Sequence, residues 1–514
     1  MTNQSERIRA IISHPAFIMA FWNAMAALFA FGRDVMTAMY LGTSESADAF
    51  VLSYFVPDML GTCLIGPAIG TVCVPLYAKM LANNHHRTMV RTVKITALHM
   101  SGFTVAVFII CLWLSPNMSG WLSGGSGSLQ EQTYALLVVM LPVIIISPLA
   151  SVGAAVHQSL HRFTIPVLSP ILVNAAFLVV LVAAMVSGIS KWNGIYSASW
   201  GIVSGVFLMA LLIWITLWKS LSVSSRAPEM EDSDIVITAE LRKIWGQFWL
   251  YSVILFAPLA VNMAERILAA RMETGAVAAL NYAFRLSQFP VWVFAAAFSA
   301  AILPKLSKLL ALRQTLELHD TLRQSLRHIL LLTVPISVLL WLLREPVAIL
   351  LLKRGAFDDN SVLLTSKVLQ GYVLSVVFQS ITAVVLRYFI AAESLKQPAL
   401  LIALSSIFTI GLEIGLAAYF GVQGLGYGAA IGSLITVILI FSVLAREADL
   451  RPLIRPGLII IASNIPSAIL ILWATSMLNI HAYGFAALFT LLSAAAFVYG
   501  AIYLWIVRRL RLLN

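Results

Sequence analysis

Charge is what this sequence most lacks. Asp, Glu, Lys and Arg together make up 11% of its 514 residues, against roughly 25% in soluble domains. A soluble chain of this length would divide into several domains with charged surfaces, and a composition that is 60% hydrophobic excludes that outcome. Cysteine is scarce too. Cys63, Cys73 and Cys111 are an odd number, lie in or beside apolar runs and lack metal-ligand spacing, so they read as small packing residues. Walker loop, dinucleotide-binding glycine turn, HExxH and nucleophile elbow are all missing. Without a nucleotide site, any active transport must draw on an ion gradient or on the membrane potential. The loop 115–132 holds only Glu131 as an acid, too little for a membrane-embedded glycosyltransferase. No basic-aromatic patch of the kind that reads nucleic acid accompanies the net charge of +11.

What is present is a series of apolar runs near the ~20 residues that cross a bilayer as helix. Fourteen spans are expected, at about 16–41, 48–77, 93–115, 133–156, 164–188, 194–218, 245–270, 276–304, 328–343, 364–392, 398–420, 424–445, 457–478 and 483–507. The fold class is an all-α polytopic membrane protein. Arg7 and Arg9 before the apolar run 16–31 resemble a signal peptide. The run nevertheless continues through Arg33 without a small-residue cleavage pattern, so it reads as the first span.

The two halves of the chain are related. A shift of 233 places Arg33 on Arg266, Gly42 on Gly275 and Pro57 on Pro290, and at a shift of 232 Ile165-Pro166 returns as Gln397-Pro398. The expected organisation is therefore an N-terminal six-helix bundle (1–220), a linker (221–244) carrying Glu229, Glu231, Asp232 and Asp234, a second six-helix bundle (245–446) and two additional helices (447–514). Six is even, so the bundles are pseudo-symmetric about an axis along the membrane normal, a known plan for transporters that bind at the midplane. Most Lys and Arg fall in the N-terminus, in the loops near 79–94, 162, 219–243, 305–327, 396 and 446–455, and in the C-terminus. The positive-inside rule makes both termini cytoplasmic.

Ionisable groups within spans cost about 2.5 kcal/mol or more each and are functional candidates by default. Arg33 and Arg285 offer planar forks of donors suited to phosphate oxygens; the alternative is a structural ion pair with an acid such as Asp34 or Asp48. Arg387, near the end of its span, fits snorkelling. Glu265 and Glu413, with Thr409, are candidates for a coupling ion, Na+ or H+; otherwise Glu265 neutralises a basic neighbour such as Arg271 and Glu413 lies near an interface. Pro57 and Pro290 interrupt long spans and are candidate hinges or gates.

At these residues the chain resembles the MurJ/MviN lipid-linked precursor flippases of the multidrug/oligosaccharidyl-lipid/polysaccharide exporter superfamily. The carriers are GRD at Gly32–Asp34 with ADAF at Ala47–Phe50, RFTIPVLSPILVN at Arg162–Asn174, NYAFRLSQFP at Asn281–Pro290 with ILPKLSK at Ile302–Lys308, LLKRGAFD at Leu351–Asp358 and RYFIAAESLKQP at Arg387–Pro398. Each phrase is weak alone; their order and spacing are specific. The resemblance implies fourteen helices, a central cationic cavity and a groove at the last two helices for a polyprenyl tail. It implies movement of a lipid-linked peptidoglycan precursor across the bacterial cytoplasmic membrane, with Arg33, Asp34, Asp48 and Arg285 as cavity or gate residues. Glu265 and Glu413 match positions where some members place acidic cation ligands, and Thr409 stands where an Asn is common. The family's Ser-Arg pair in span one is Ala26-Ala27 here, its basic pair in span two is Gly61-Thr62, and a characteristic Glu is Gly66. The expected function is a precursor flippase working by alternating access, not an enzyme, with cell-envelope assembly proteins as further partners. The alternatives are a paralogue for another lipid-linked glycan (capsule, exopolysaccharide or teichuronic-type), a drug antiporter of the same superfamily, and a non-transporting envelope scaffold.

Overall fold

The computed structural model describes residues 15–510, except 126, 225–233, 393, 395 and 478–482. The acidic linker residues Glu229, Glu231 and Asp232 and the basic residues Arg7, Arg9, Arg226 and Arg511 lie outside them. Every described element is helical, as a lipid environment demands, because only a helix or a closed barrel satisfies its own backbone there.

The chain divides into two compact units, Met1–Leu259 and Ala260–Asn514. The seam falls inside the seventh span, whereas sequence had placed the linker at 221–244; residues from Asp234 onward are already helical. The first unit contains α1 (Pro15–Leu41), α2 (Glu45–Pro57), a π turn (Asp58–Ile65), α3 (Gly66–Ala82), α4 (His86–Ser123), α5 (Gly127–Met140), α6 (Val143–Ser159), α7 (Thr164–Val186), α8 (Lys191–Ser224) and most of α9 (Asp234–Ala269). The second has the end of α9, then α10 (Ala276–Pro290), a π turn (Val291–Ala295), α11 (Ala296–Ala311), α12 (Thr315–Leu342), the short α13 (Arg344–Leu352), α14 (Asp359–Ala391), α15 (Lys396–Phe420) and α16 (Val422–Leu444). A single 3-10 turn (Arg451–Leu453) leads into α17 (Ile454–Ser463), α18 (Ile465–Ser476) and α19 (Phe485–Arg509).

Among the described residues 13 helices are long and apolar enough to cross a membrane. The remaining expected span, the eighth, is the helical run 276–311 through α10, the π turn and α11. Several helices outrun their apolar stretches: the third span, expected at 93–115, is helical over His86–Ser123, because helix propensity continues past the oily core into the polar zone.

Each unit has its own packed centre. In the first, Ile69, Cys73 and Tyr77 of α3 meet Met89 and Val93 of α4, Val156 of α6, Leu217 of α8 and Phe248 of α9. In the second, Leu306, Leu322 and Leu326 meet Val384, Phe389 and Ile440. The last helices dock on the second unit through Ile460, Tyr503 and Val507 against Val334. Lipid tails are as apolar as these side chains, so fit and hydrogen bonds hold the helices together more than hydrophobicity does. Large apolar side chains such as Trp113, Val186 and Phe497 remain on the outside, as a bilayer solvent allows.

Candidate functional site

Both candidate hinge prolines occupy the same structural context. Pro57 ends α2 and Pro290 ends α10, and each is followed at once by a π turn. Proline offers no N–H and its ring crowds the carbonyl four residues back. Widening the next turn to the i→i+5 pattern lets the helix run on; such bulges recur at functional sites.

Each unit holds an arginine against an aromatic ring beside its π turn. In the first unit the Arg33 guanidinium lies 5.4 Å from the centre of the Tyr54 ring. The Tyr54 hydroxyl donates to Asp58, the first residue of the π turn, at 3.3 Å. Arg33 is also ion-paired: Nε and Nη2 both donate to Oδ1 of Asp34, at 3.3 and 3.1 Å. That pairing is the alternative raised from sequence for this residue. It engages two of the five guanidinium donors, and Nη1 has no acceptor among the described residues. Asp48 is buried in the first turn of α2. In the second unit the Arg285 guanidinium lies 5.7 Å from the Trp292 ring centre, and Trp292 belongs to the second π turn. Arg285 is half-buried. Arg387 does not stand alone at a helix end, since its Nε donates to the Ser299 hydroxyl at 3.4 Å.

Two of the first-unit positions where the resemblance implied charged side chains, Gly61 and Gly66, are closely packed. A Cβ on Gly61 would lie 2.9 Å from the Val143 carbonyl oxygen and 3.1 Å from the Ile144 Cα. One on Gly66 would lie 2.6 Å from the Ser151 hydroxyl. The π turn and α3 are seated directly on α6 at both points, so neither position has room for a long side chain. Ala26 is half-buried and Ala27 exposed.

A second cluster lies within the second unit. Glu265 near the end of α9 is buried, and its Oε2 accepts from the Tyr372 hydroxyl of α14 at 2.9 Å. Glu413 of α15 is wholly buried and within hydrogen-bonding range of Glu265. Neither of its oxygens accepts from any donor among the described residues. Two carboxylates are acceptors only, so a bond between them requires a proton on one. The neighbouring Arg266 sends Nη1 to the Asn262 carbonyl at 2.9 Å. Glu265 is thus held by Tyr372 and also feels the charge of its basic neighbour Arg266, which keeps the neutralising role open beside ion coupling, and Glu413 is fully buried between α15 and α16. Thr409, one turn before Glu413, is buried, and its hydroxyl donates to the Ser405 carbonyl at 2.8 Å.

Close helix packing makes this burial possible. A Cβ on Gly428 of α16 would lie 2.6 Å from Glu413 Cγ, and one on Gly432 would collide with the Thr409 side chain. The small-residue stripe of α16 thus receives both polar side chains of α15. Tyr372 was not singled out from sequence, because a tyrosine in an apolar run carries no signal until its partner is located. Among the described residues no group of three or more His, Cys, Asp and Glu side chains is gathered as a metal site; a monovalent cation or a proton needs fewer.

Comparison with known proteins fits this picture. The probable lipid II flippase MurJ of Rhizobium tropici is 24% identical over 430 residues, covering 82% of this chain and 79% of the relative. The lipid II flippase MurJ of Burkholderia cenocepacia is 24% identical over 445 residues, covering 83% and 82%. Among solved structures, a lipid II flippase MurJ in an inward closed conformation superposes with a TM-score of 0.78 at 20% identity, covering 96% of this chain and 99% of the other. An inward-facing multidrug resistance MATE family transporter of the MOP superfamily gives 0.70 at 15% identity, covering 85% and 99%. Both likenesses establish the fold. The family model for the lipid II flippase MurJ matches residues 37–506, and the chain belongs to that family.

Proposed function

We propose that this protein is a lipid II flippase of the bacterial cytoplasmic membrane: it moves a polyprenyl-pyrophosphate-linked peptidoglycan precursor across the bilayer by alternating access and makes or breaks no covalent bond. The observation that carries this reading is the family match over residues 37–506. Arg33 and Arg285 are the head-group contacts. Each presents a planar donor fork, backed by an aromatic ring, for which a diphosphate is a bidentate acceptor. Asp34 holds the Arg33 side chain in place and shares it with the incoming anion. Asp48 orders the start of α2, and the π turns after Pro57 and Pro290 are the flexing points. Both termini face the cytoplasm.

Transport is coupled through Glu265 and Glu413. With Tyr372 as the one hydrogen-bond donor to the pair among the described residues, the simplest occupant is a proton, shared when bound and released when the helices shift. Thr409, one turn before Glu413, adds a hydroxyl oxygen on the same helix.

The test is head-group transfer in vesicles reconstituted with lipid II. Arg285→Ala and Arg33→Ala are expected to slow transfer at least about tenfold, the loss of one charge-assisted contact, with folding retained. Unchanged transfer in both variants overturns the head-group assignment. A second reading, transport of a different lipid-linked glycan, is favoured by one observation: Gly61 and Gly66 are packed against α6 where relatives carry charged side chains. Wild-type protein that leaves lipid II in place but transfers another polyprenyl-linked glycan decides for that reading.

A further inference from the structure

At the end of the second unit, where α16 gives way to α17, lies a cavity of about 720 Å³. Its floor is apolar, made by Leu326 and Leu330 of α12, Ile381 of α14 and Phe441 of α16. Its other wall is the connecting segment 445–454, which contributes Arg446, Glu447, Asp449 and Arg451. The wall is fixed by three polar ties. The Tyr388 hydroxyl donates to Glu447 at 2.7 Å, the Arg323 Nε donates to the Asp449 carbonyl at 2.8 Å, and the Arg451 backbone N–H donates to the Asp449 carboxylate at 3.0 Å.

Those ties use the acids and leave the bases. Both carboxylates on the wall already accept from the protein, and the Arg446 and Arg451 guanidinium groups have no acceptor among the described residues. The wall is charge-balanced overall, but its carboxylates are turned to protein donors while its two guanidinium forks remain available to an anionic acceptor. Two guanidinium forks above an apolar floor in a membrane protein match one ligand chemistry, a phosphodiester carrying acyl chains. We propose that this cavity binds an anionic phospholipid, its phosphate between Arg446 and Arg451 and its upper methylenes on Leu326, Leu330, Ile381 and Phe441. The site is separate from Arg33, Arg285 and the carboxyl pair, and it does not depend on which lipid-linked glycan is carried. Bound there, the lipid fastens the connecting segment to the bundle and sets how the last three helices lie against it.

The experiment is native mass spectrometry of the full-length protein, loaded with phosphatidylglycerol or phosphatidylcholine. Wild-type protein is expected to retain phosphatidylglycerol over phosphatidylcholine. Arg446→Gln and Arg451→Gln are each expected to weaken that retention about fivefold, as one basic contact to an anionic lipid does. Ala445→Trp, a change at an exposed position on the cavity wall, is expected to abolish the preference by filling the space while both arginines remain. Unchanged melting in phosphatidylcholine shows that each variant folds. Equal retention of the two lipids by wild type, or equal phosphatidylglycerol retention by wild type and all three variants, overturns the proposal. Displacement of phosphatidylglycerol by glycerol 3-phosphate at equal concentration also overturns it, since it would make the ligand a soluble phosphate.

Discussion

Among the described residues Glu413 has a carboxylate for a neighbour and no hydrogen-bond donor, and Glu265 accepts from the Tyr372 hydroxyl with the Arg266 charge beside it. Two like charges in one buried site repel, and with Arg266 the one basic group acting on Glu265, a proton or cation on the pair is what the proposed coupling requires. If that counter-charge is a proton, Glu413→Gln keeps the shape and a hydrogen bond to Glu265 while removing the exchange. Transfer in that variant is expected to lose its response to an imposed pH gradient and remain unresponsive to Na+. A variant that keeps the pH response removes the pair from coupling. Gly428 lies directly against this residue, with an ideal Cβ 2.6 Å from Glu413 Cγ and 3.0 Å from its Cα. Gly428→Ala is expected to cost about 1–3 kcal/mol, the range for overpacking a tight interior, read as a lower unfolding midpoint in detergent. A different residue sets a pH dependence of stability outside the membrane. Asp358 caps α14, and the Ser361 backbone N–H and hydroxyl, each at 2.8 Å, hold its carboxyl below the usual carboxylate range. A depressed carboxyl stabilises the fold above its unfolded value, about 3.9, and that contribution is lost as pH falls through the lower folded value. Asp358→Ala should cost about 1 kcal/mol at neutral pH, and the difference in melting temperature from wild type should shrink on acidification below about pH 4.

At the scale of elements, the prolines show what a sequence reveals and what it hides. The matching positions of Pro57 and Pro290 were legible from the repeat alone, and both fall at the junction between an α-helix and a π turn. The π turns themselves were not legible. Proline makes a break or bend expected, but whether the chain kinks, ends or widens depends on what the freed carbonyl finds nearby. In the first unit, Gly61 of the π turn meets the backbone at Val143 and Ile144, a partner remote in sequence. Tyr372 was hidden for the same reason, since its role exists only because α14 passes Glu265. Charged groups in apolar runs were easy to find because each is an exception to its surroundings. The pairing of Arg33 with its neighbour Asp34 was open until side-chain directions were known. If the π turns are flexing points, replacing the prolines should let each helix close up as ordinary α-helix. Pro57→Ala and Pro290→Ala are then expected to raise or preserve thermal stability while reducing lipid transfer severalfold. Lower stability with unchanged transfer would make the prolines structural only.

For the whole molecule, class and the series of helical spans were readable because a bilayer leaves a chain few choices. Long apolar runs must be helices, their count fixes the parity of the ends, and the scarcity of charge makes the distribution of Lys and Arg informative. The boundary between the units was less readable. The acidic loop suggested a tether at 221–244, yet packing divides the chain at Leu259, within a continuous helix whose first part joins one core and whose end carries Glu265 into the other unit. Orientation can be tested without any transport assay. Among the described loops, those near Arg87 and Arg313 belong to the basic set, and those near Gly188 and Arg354 to the opposite one. Single cysteines at Asn84 and Arg313, in a background with Cys63, Cys73 and Cys111 replaced by Ala, are expected to resist a membrane-impermeant thiol reagent applied to intact cells and to react after permeabilisation. Cysteines at Ser187 and Gly355 should react in intact cells. The reverse pattern would invert the protein in the membrane, move Arg446 and Arg451 to the outer leaflet, and place the basic loops on the side that the positive-inside rule excludes.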